Sequence, residues 1–409
     1  MLIEELKKYK KILILGYGLE GKATEEFLKA KVPSAEIGIA DQSTNPKYLE
    51  EQEKYDLVVK TSGIPKRLVT RPYTTGTNIF FANAKAPIIG ITGTKGKSTT
   101  TSLIYAIMKE AGYDARLIGN IGIPMVRELL RPETEKTIYV CELSSYQLDD
   151  IKYSPHVSVI LNLFPEHMDY HGSFDLYKTA KKNIVAYSTA KDYFVYNPEY
   201  PELMELSKKT KAKPIPFISE LPFPKDIIPL MGEHNVGNVN TAVTVGNIFK
   251  IDPKVMAEAV RKFVPLHHRL EPVGTFKGIR FYDDAISTTP ESTIQAIKSI
   301  PNIGTIFLGG KDRGYEFSSL ARELVSSLAK NIVLFPESGA KIKEALIKAG
   351  GNFNFLETSD MKAAVEFAYK NTKPGEACVL SCASPSYSIW KNFEEKGDLF
   401  KQFVREFKV

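Results

Sequence analysis

The sequence predicts an α/β protein of three domains, and three observations carry that prediction. Strand-like apolar runs alternate with helix-like periodic stretches nearly throughout, the pattern of sheets covered by helices. Two strand-to-helix turns are glycine-rich: Gly16-Tyr17-Gly18-Leu19-Glu20-Gly21 and Gly93-Thr94-Lys95-Gly96-Lys97-Ser98. The last third alternates in the same way but carries no phosphate fingerprint of its own. A length of 409 residues suits two or three domains. The expected boundaries are 1–86, 87–265 and 266–409.

Hydrophobic residues make up 43% and charged residues 25% of the chain, enough apolar material for ordinary globular cores. The net charge of +6, from 54 basic and 48 acidic residues, is scattered. It makes no case for nucleic acid and suits an anionic small substrate. Cys141, Cys378 and Cys382 form no Cys-x-x-Cys pair and read as reduced thiols of a cytoplasmic protein. The opening residues lead into a glycine turn, so they read as a first strand rather than a signal peptide. No apolar run is long enough for membrane insertion. A monomer is expected.

In the first domain, strand 11–15 enters the first glycine turn, a helix follows to residue 28, and strand 36–40 ends at Asp41. Gly-x-Gly-x-x-Gly with an acidic residue 20 positions past its last glycine is the dinucleotide fingerprint of a Rossmann-like domain. Its functional reading is a nucleotide or nucleotide-sugar site; a turn that only packs helix on strand is the bland one. A further strand at 56–59 leads to Thr61-Ser62-Gly63-Ile64-Pro65, at a strand's carboxyl end, where open α/β sheets bind ligands.

The central domain is expected to be a P-loop ATPase-like α/β unit with a mostly parallel sheet. Strand 88–92 runs into Gly93–Ser98 and a helix over 98–111. Two glycines let the backbone wrap an anion, with the helix N-terminus behind its N–H groups. Lys97 can reach terminal phosphates and Ser98 can hold Mg²⁺. Ile91 stands where the longer P-loop pattern has glycine, so the match is to Gly-x-x-Gly-Lys-Ser. Downstream, strand 137–141 delivers Glu142, placed to bind Mg²⁺ or merely to stabilise a helix dipole. Strand 157–161 leads to His167, a possible second metal ligand or phosphate donor. By composition alone Lys181 reads as a solvated surface lysine. Asn235 and Asn238 share a helix face, where their amides can meet a base or simply cap.

In the last domain, Pro265 to Glu271 reads as a linker, or as the place where Arg269 meets a phosphate. A hairpin-like pair at 274–276 and 279–282 ends in Asp283-Asp284. Strand 305–308 enters Gly309-Gly310-Lys311-Asp312-Arg313-Gly314, and strands at 331–335, 353–356 and 377–380 follow. This second Rossmann-like sheet would hold another substrate near Ser384-Pro385-Ser386-Tyr387 and Lys391-Asn392-Phe393.

Taken in order, Gly93–Thr99, Gly119-Asn120-Ile121-Gly122, Glu142–Leu148, Glu166–Asp169, Tyr177-x-x-Ala-Lys181, His234–Asn238, His268-Arg269 and Lys391-Asn392-Phe393 resemble the Mur ligases. These are ATP-dependent amino-acid ligases of peptidoglycan precursor synthesis. The resemblance covers essentially the whole chain, and Glu-Leu-Ser-Ser-Tyr-Gln-Leu points to the branch that adds glutamate to UDP-N-acetylmuramoyl-L-alanine. It implies a UDP site at Leu19, Asp41, Thr61 and Gly63, with Asn120, Ser144 and Gln147 on the muramoyl part. ATP would lie on Gly93, Thr94, Lys95, Gly96, Lys97, Ser98 and Thr99, joined by Asn235, Asn238, His268, Arg269 and Asp284. Lys97, Glu142, His167 and Lys181 would be catalytic. Two Mg²⁺ would be held by Ser98, Glu142, His167 and a carbamoylated Lys181, and the amino acid by Thr288, Arg313, Ser386 and Phe393.

One departure stands out. D-glutamate-adding relatives read Asn-Asp-Ser-Lys-Ala-Thr-Asn where this chain has Asp283-Asp284-Ala285-Ile286-Ser287-Thr288-Thr289, so an expected lysine is Ile286. Arg313, in place of a usual lysine, remains a competent carboxylate binder. L-Glutamate is the alternative amino acid, and a folylpolyglutamate synthase-like ligase a further one. That enzyme class lacks the domain that residues 1–86 would supply. A P-loop switch would have no use for the last-domain contacts, and an NAD-linked reductase would show nicotinamide on the first.

Overall fold

The computed structural model describes residues 1–407 apart from Pro165 and His167, and its strands fall into three sheets. The first comprises β1 (Lys11–Leu15), β2 (Glu36–Ala40), β3 (Leu57–Lys60) and β4 (Tyr73–Thr75), ordered β2-β1-β3-β4 with every pair parallel. Helix α1 (Leu19–Lys31) returns the chain from β1 to β2 and buries Ala23, Phe27 and Leu28 against Ile12 and Ile14.

The second sheet comprises β5 (Ile88–Thr92), β6 (Asp114–Gly119), β7 (Thr137–Glu142), β8 (Val157–Ile160), β9 (Tyr193–Tyr196) and β10 (Lys213–Pro216). Its order is β10-β9-β8-β5-β7-β6, again all parallel. β5, β7 and β8 are buried at every position, as strands covered on both faces by helices must be. Helix α2 (Lys97–Glu110) follows β5, and α3 (Phe174–Lys182) follows β8.

The third sheet holds β11 (Glu271–Phe276), β12 (Ile279–Asp283), β13 (Ile303–Gly309), β14 (Asn331–Phe335), β15 (Asn354–Glu357) and β16 (Ala377–Leu380). The order is β11-β12-β16-β13-β14-β15, and only the β11–β12 hairpin is antiparallel. Helix α4 (Glu233–Ile248) precedes this sheet, α5 (Pro290–Ser299) leaves it after β12, and α6 (Phe393–Glu406) closes the chain.

Two compact units result. One contains Met1–Ile227 with Val236–Phe263 and carries the first two sheets; the other contains Ile228–Asn235 with Val264–Val409 and carries the third. The division falls between Asn235 and Val236, inside α4. Among the described residues no helix is long and apolar enough to cross a membrane.

The expected P-loop helix begins one residue early, at Lys97. Strands β4, β6, β9 and β10 are additions to the elements expected from sequence. β4 has three residues, and β10 alternates Lys, Pro, Ile, Pro, so neither shows an apolar run.

Candidate functional site

All three sheets reverse their winding direction once, and the glycine-rich loops sit at those reversals, where loops diverge and leave a crevice. In the first sheet the reversal lies between β1 and β3. Gly16 (φ +92°) approaches Thr61 so closely that a Cβ on it would stand 2.1 Å from Thr61 Oγ1, and one on Gly21 would stand 2.2 Å from Gly16 O. The Thr61 amide donates to Leu15 O at 2.9 Å. Asp41 accepts from the Tyr17 amide at 2.6 Å and from the Ser43 hydroxyl and amide at 2.6 and 2.9 Å. Those bonds, the hydroxyl's first, hold its carboxyl below the usual range. Leu19, at the start of α1, is 81% exposed, and Gly63 has open space beside it. The loops thus form an open ledge.

In the second sheet the reversal lies between β5 and β8. Gly93 has φ +157° and Gly96, the residue before α2, φ +83°. Asn162, just past β8, clamps the loop: its Oδ1 accepts from the Thr94 and Lys95 amides at 2.9 and 2.8 Å, and its Nδ2 donates to Lys95 O at 3.0 Å. Tyr177 OH donates to Thr94 Oγ1 at 2.9 Å. Lys97 Nζ donates to Thr94 O at 2.9 Å, and Lys95 pairs with Glu166 at 2.7 Å. Thr100 Oγ1 donates to Asn238 Oδ1 at 3.1 Å, which ties α4 to the first turns of α2. Ser98 is half-buried and Thr99 buried on α2.

Glu142 ends β7 and pairs in register with Ile91, two residues before Gly93. It is 1% exposed. Its Oε1 accepts from Asn120 Nδ2 at 2.8 Å, whereas Oε2 is buried with no hydrogen-bond partner among the described residues. A buried carboxylate oxygen without a donor is costly, and a cation would satisfy it. Ser144 and Gln147 bond each other in a capping box over Ser145–Leu148, so both already have a structural task. His167 lies outside the described residues.

The reading of Lys181 as a surface residue is corrected: it is 1% exposed. Its Nζ donates to Gly93 O at 2.8 Å and Thr92 Oγ1 at 3.3 Å. Burial first, and then the charge of Lys97, pushes its pKa well below the ordinary lysine value, against a smaller pull from Glu166 and Glu142. The amine at this position is therefore biased to the neutral form.

In the second unit, His268 and Leu270 take left-handed backbone, φ +60° and +46°, around Arg269. The His268 ring is buried with Nδ1 2.7 Å from Asp283 Oδ2, and its amide donates to Glu271 Oε2 at 2.8 Å. His268, Glu271 and Asp283 could together face a metal ion. The Lys401 ammonium already stands 3.2 Å from Glu271 and 3.8 Å from Asp283, so the cluster carries its own cation. Asp284 accepts from Ser381 Oγ at 2.7 Å and from the Leu270 amide at 3.2 Å. Burial raises its pKa to about 6, against bonds from Ser287 and Ser381 that lower it. Asn235 Nδ2 donates to Met231 O at 2.7 Å. His234 has its pKa lowered by burial and by Arg269.

The third reversal lies between β13 and β16. A Cβ on Gly310 would stand 2.2 Å from Pro385 O, and the Lys311 amide donates to that oxygen at 2.7 Å. Ser386 Oγ is buried with no partner among the described residues. Arg313 is exposed and Thr288 half-buried. Phe393 opens α6 with its ring 5.8 Å from that of His268. Sequence reasoning missed Asn162 and Tyr177 as supports of the P-loop; the spacing from Tyr177 to Lys181, one helical turn, was the available signal.

The chain matches the family model of the Mur ligase middle domain over residues 91–222 and that of the Mur ligase glutamate ligase domain over residues 268–384. It is 34% identical to the UDP-N-acetylmuramoylalanine–D-glutamate ligase of Streptococcus mutans, covering 98% of this chain and 97% of that protein. To the ligase of the same name from Streptococcus pneumoniae it is 32% identical, covering 98% of each. Among solved structures, the MurF ligase of Thermotoga maritima in complex with ADP matches with a TM-score of 0.64 at 15% identity, over 97% of this chain and 95% of that one. That last likeness is one of fold. With end-to-end identity to the D-glutamate ligases above 30%, the chain belongs to the Mur ligase family and uses ATP.

Proposed function

We propose that this chain joins D-glutamate to UDP-N-acetylmuramoyl-L-alanine through an acyl phosphate, releasing ADP and phosphate, as a cytoplasmic step of peptidoglycan precursor synthesis. The observation that carries the reading is the presence of three switch-point crevices in one chain that is alike, end to end, to ligases of that name. The ledge at Leu19, Asp41, Thr61 and Gly63 would take the UDP group, within a domain of residues 1–86. Asn120, Ser144 and Gln147 would face the muramoyl part. The P-loop domain, 87–265, would take ATP, and the domain of 266–409 the amino acid at Thr288, Arg313, Ser386 and Phe393. Asn235, Asn238, His268, Arg269 and Asp284 would complete the nucleotide site.

The donor set fits Mg²⁺. Glu142 offers a buried oxygen that lacks a partner among the described residues, Ser98 a hydroxyl at the helix start, and His167 a ring nitrogen. Mg²⁺, when bound, supplies charge neutralisation at the phosphoryl oxygens. Lys181 fits carbamoylation because a neutral amine is the form that adds CO₂, and the product is an anionic oxygen donor where an ammonium would be repelled.

The residues of the chain do the rest. The L-alanyl carboxylate and the γ-phosphate are both anionic, so their approach is opposed by charge. Lys97, once it leaves Thr94 O, offers its ammonium to the phosphoryl oxygens, and the P-loop amides bind those nearest the helix. The carboxylate oxygen bonds to the γ-phosphorus as the bond to ADP breaks. The glutamate amine then attacks the acyl carbon, and phosphate leaves from the tetrahedral intermediate. Arg313, with five donors in a planar fork, holds a glutamate carboxylate at the third crevice.

Phosphate release with ATP, Mg²⁺ and UDP-N-acetylmuramoyl-L-alanine, with D- and L-glutamate offered separately, tests the proposal. Release with D-glutamate alone is expected. Release with L-glutamate alone would keep the mechanism and overturn the stereochemistry, and Ile286 would be the residue to examine. Release with a folate acceptor instead would overturn the substrate.

A further inference from the structure

Lys60 is the last residue of β3 and is fully buried, at a position where a parallel strand ordinarily carries an apolar side chain. Its Nζ lies 2.5 Å from Asp150 Oδ2, with side-chain exposures of 0% and 4%. The same ammonium donates to Ile64 O at 3.1 Å, so it spans the turn Thr61-Ser62-Gly63-Ile64 that follows it. Within that turn the Ile64 amide donates to Thr61 O at 3.2 Å. Asp150 also accepts from Tyr73 OH at 3.1 Å, and its carbonyl accepts from Asn78 Nδ2 at 2.8 Å.

Asp150 belongs to the segment just after the Ser145–Leu148 helix that leaves β7. The buried pair therefore connects the end of a first-sheet strand to the C-terminal end of the short helix that follows a second-sheet strand, inside one compact unit. Weaker bonds run alongside: Lys66 to Asp149 at 3.0 Å, Arg67 to Tyr170 O at 3.4 Å and Tyr170 OH to Ser62 O at 3.4 Å. On its other side the turn is held by Glu20, which accepts from the Ser62 amide and hydroxyl, both at 3.0 Å.

A buried ion pair is poor value as stability, because desolvation offsets most of its attraction; its best-attested use is to specify one geometry. We propose that Lys60 and Asp150 are positioning residues that fix the Thr61–Ile64 turn at a set distance from the Ser145–Leu148 helix that follows β7, so that the two ends of one long substrate meet a single rigid platform. This rests on the proposed function, in which Thr61 and Gly63 face the UDP group while Ser144 and Gln147 face the muramoyl part. Neither residue touches substrate. Lys60 acts through the turn, and Asp150 through Lys60.

The test is steady-state kinetics of Lys60→Met and of Lys60→Met/Asp150→Leu, with melting temperatures. The single variant leaves a buried carboxylate unpaired and melts early. The double variant removes both charges, recovers most of the melting temperature, and still raises KM for the UDP substrate about tenfold, with KM for ATP and glutamate within about twofold. Should neither fold, Tyr73→Phe, which removes one bond to Asp150 and leaves both charges, shows the same split at about twofold. Unchanged KM for the UDP substrate in a folded variant, or an equal rise for all three substrates, overturns the proposal. A wild-type chain inactive on this substrate overturns the proposed function instead. UDP binding by calorimetry then decides the positioning role, which falls if UDP binds wild type and variant alike or binds neither.

Discussion

Burying the Lys181 amine against Gly93 O makes its protonated form costly, and its bonds among the described residues go to a carbonyl and a hydroxyl. A lysine retained in that place is unfavourable for stability and useful for chemistry that needs a neutral amine. Lys181→Ala is expected to lose activity by several orders of magnitude and to regain part of it with added formate or acetate, which can occupy the vacated volume as anions. Full activity without the additive would end the carbamate proposal. Asp284 makes the opposite kind of statement. Its folded pKa of about 6 lies above the ordinary carboxylate value, so the folded protein binds that proton more tightly than the unfolded chain. The resulting stability is complete below about pH 4 and is lost as pH rises through about 6, by roughly 2–3 kcal/mol. Asp284→Asn should remove that slope, melting higher than wild type at pH 7.5 while its KM for ATP rises. Equal melting temperatures at pH 7.5 would count against this account. Neither environment was legible in the sequence. A lysine in Tyr-Lys-Thr-Ala-Lys and an aspartate at a strand end carry no local sign of what packs over them; only the likeness to a family marked either one.

At the scale of elements, legibility followed how local the cause is. The P-loop turn was readable because glycine at 93 and 96 answers a backbone requirement that lies within the turn. The first fingerprint was readable for the same reason, since Gly16 and Gly21 must approach Thr61 and one another. β10 was not, because two prolines interrupt its pattern and its place at the sheet edge is granted by β9 alone. Asn162 was also hidden: its clamp on the Thr94 and Lys95 amides joins loops after strands β5 and β8, which are neighbours only once the sheet has formed. The third crevice shows how such a closure can be tested. Gly310 has φ +151° and no room for a Cβ against Pro385 O. Gly310→Ala must therefore move the loop after β13 away from the loop after β16, which carries Ser386. KM for glutamate should rise about tenfold with KM for ATP unchanged. An unchanged glutamate KM would place the amino acid elsewhere.

For the whole molecule, three sheets with separate cores mean that the substrate contacts proposed for their three crevices rest on separately packed structures. Substitutions more than about 10 Å apart that share no partners add in free energy, so defects in different crevices should be separable. Lys97→Ala removes the ammonium that would spread γ-phosphate charge, while the ledge at Asp41 and Thr61 remains intact. Its turnover should fall by about a thousandfold, with binding of the UDP substrate by calorimetry within about threefold of wild type. Arg313→Ala should raise KM for glutamate about tenfold or more and leave KM for ATP alone. In the double variant the turnover defect should be that of Lys97→Ala and the glutamate defect that of Arg313→Ala, because the two residues are assigned to different substrates. If Lys97→Ala also abolished UDP-substrate binding, the first two crevices would have to be read as one site. A double variant no worse than either single one would mean that both residues serve the same step, and the assignment of ATP and glutamate to different sheets would fall.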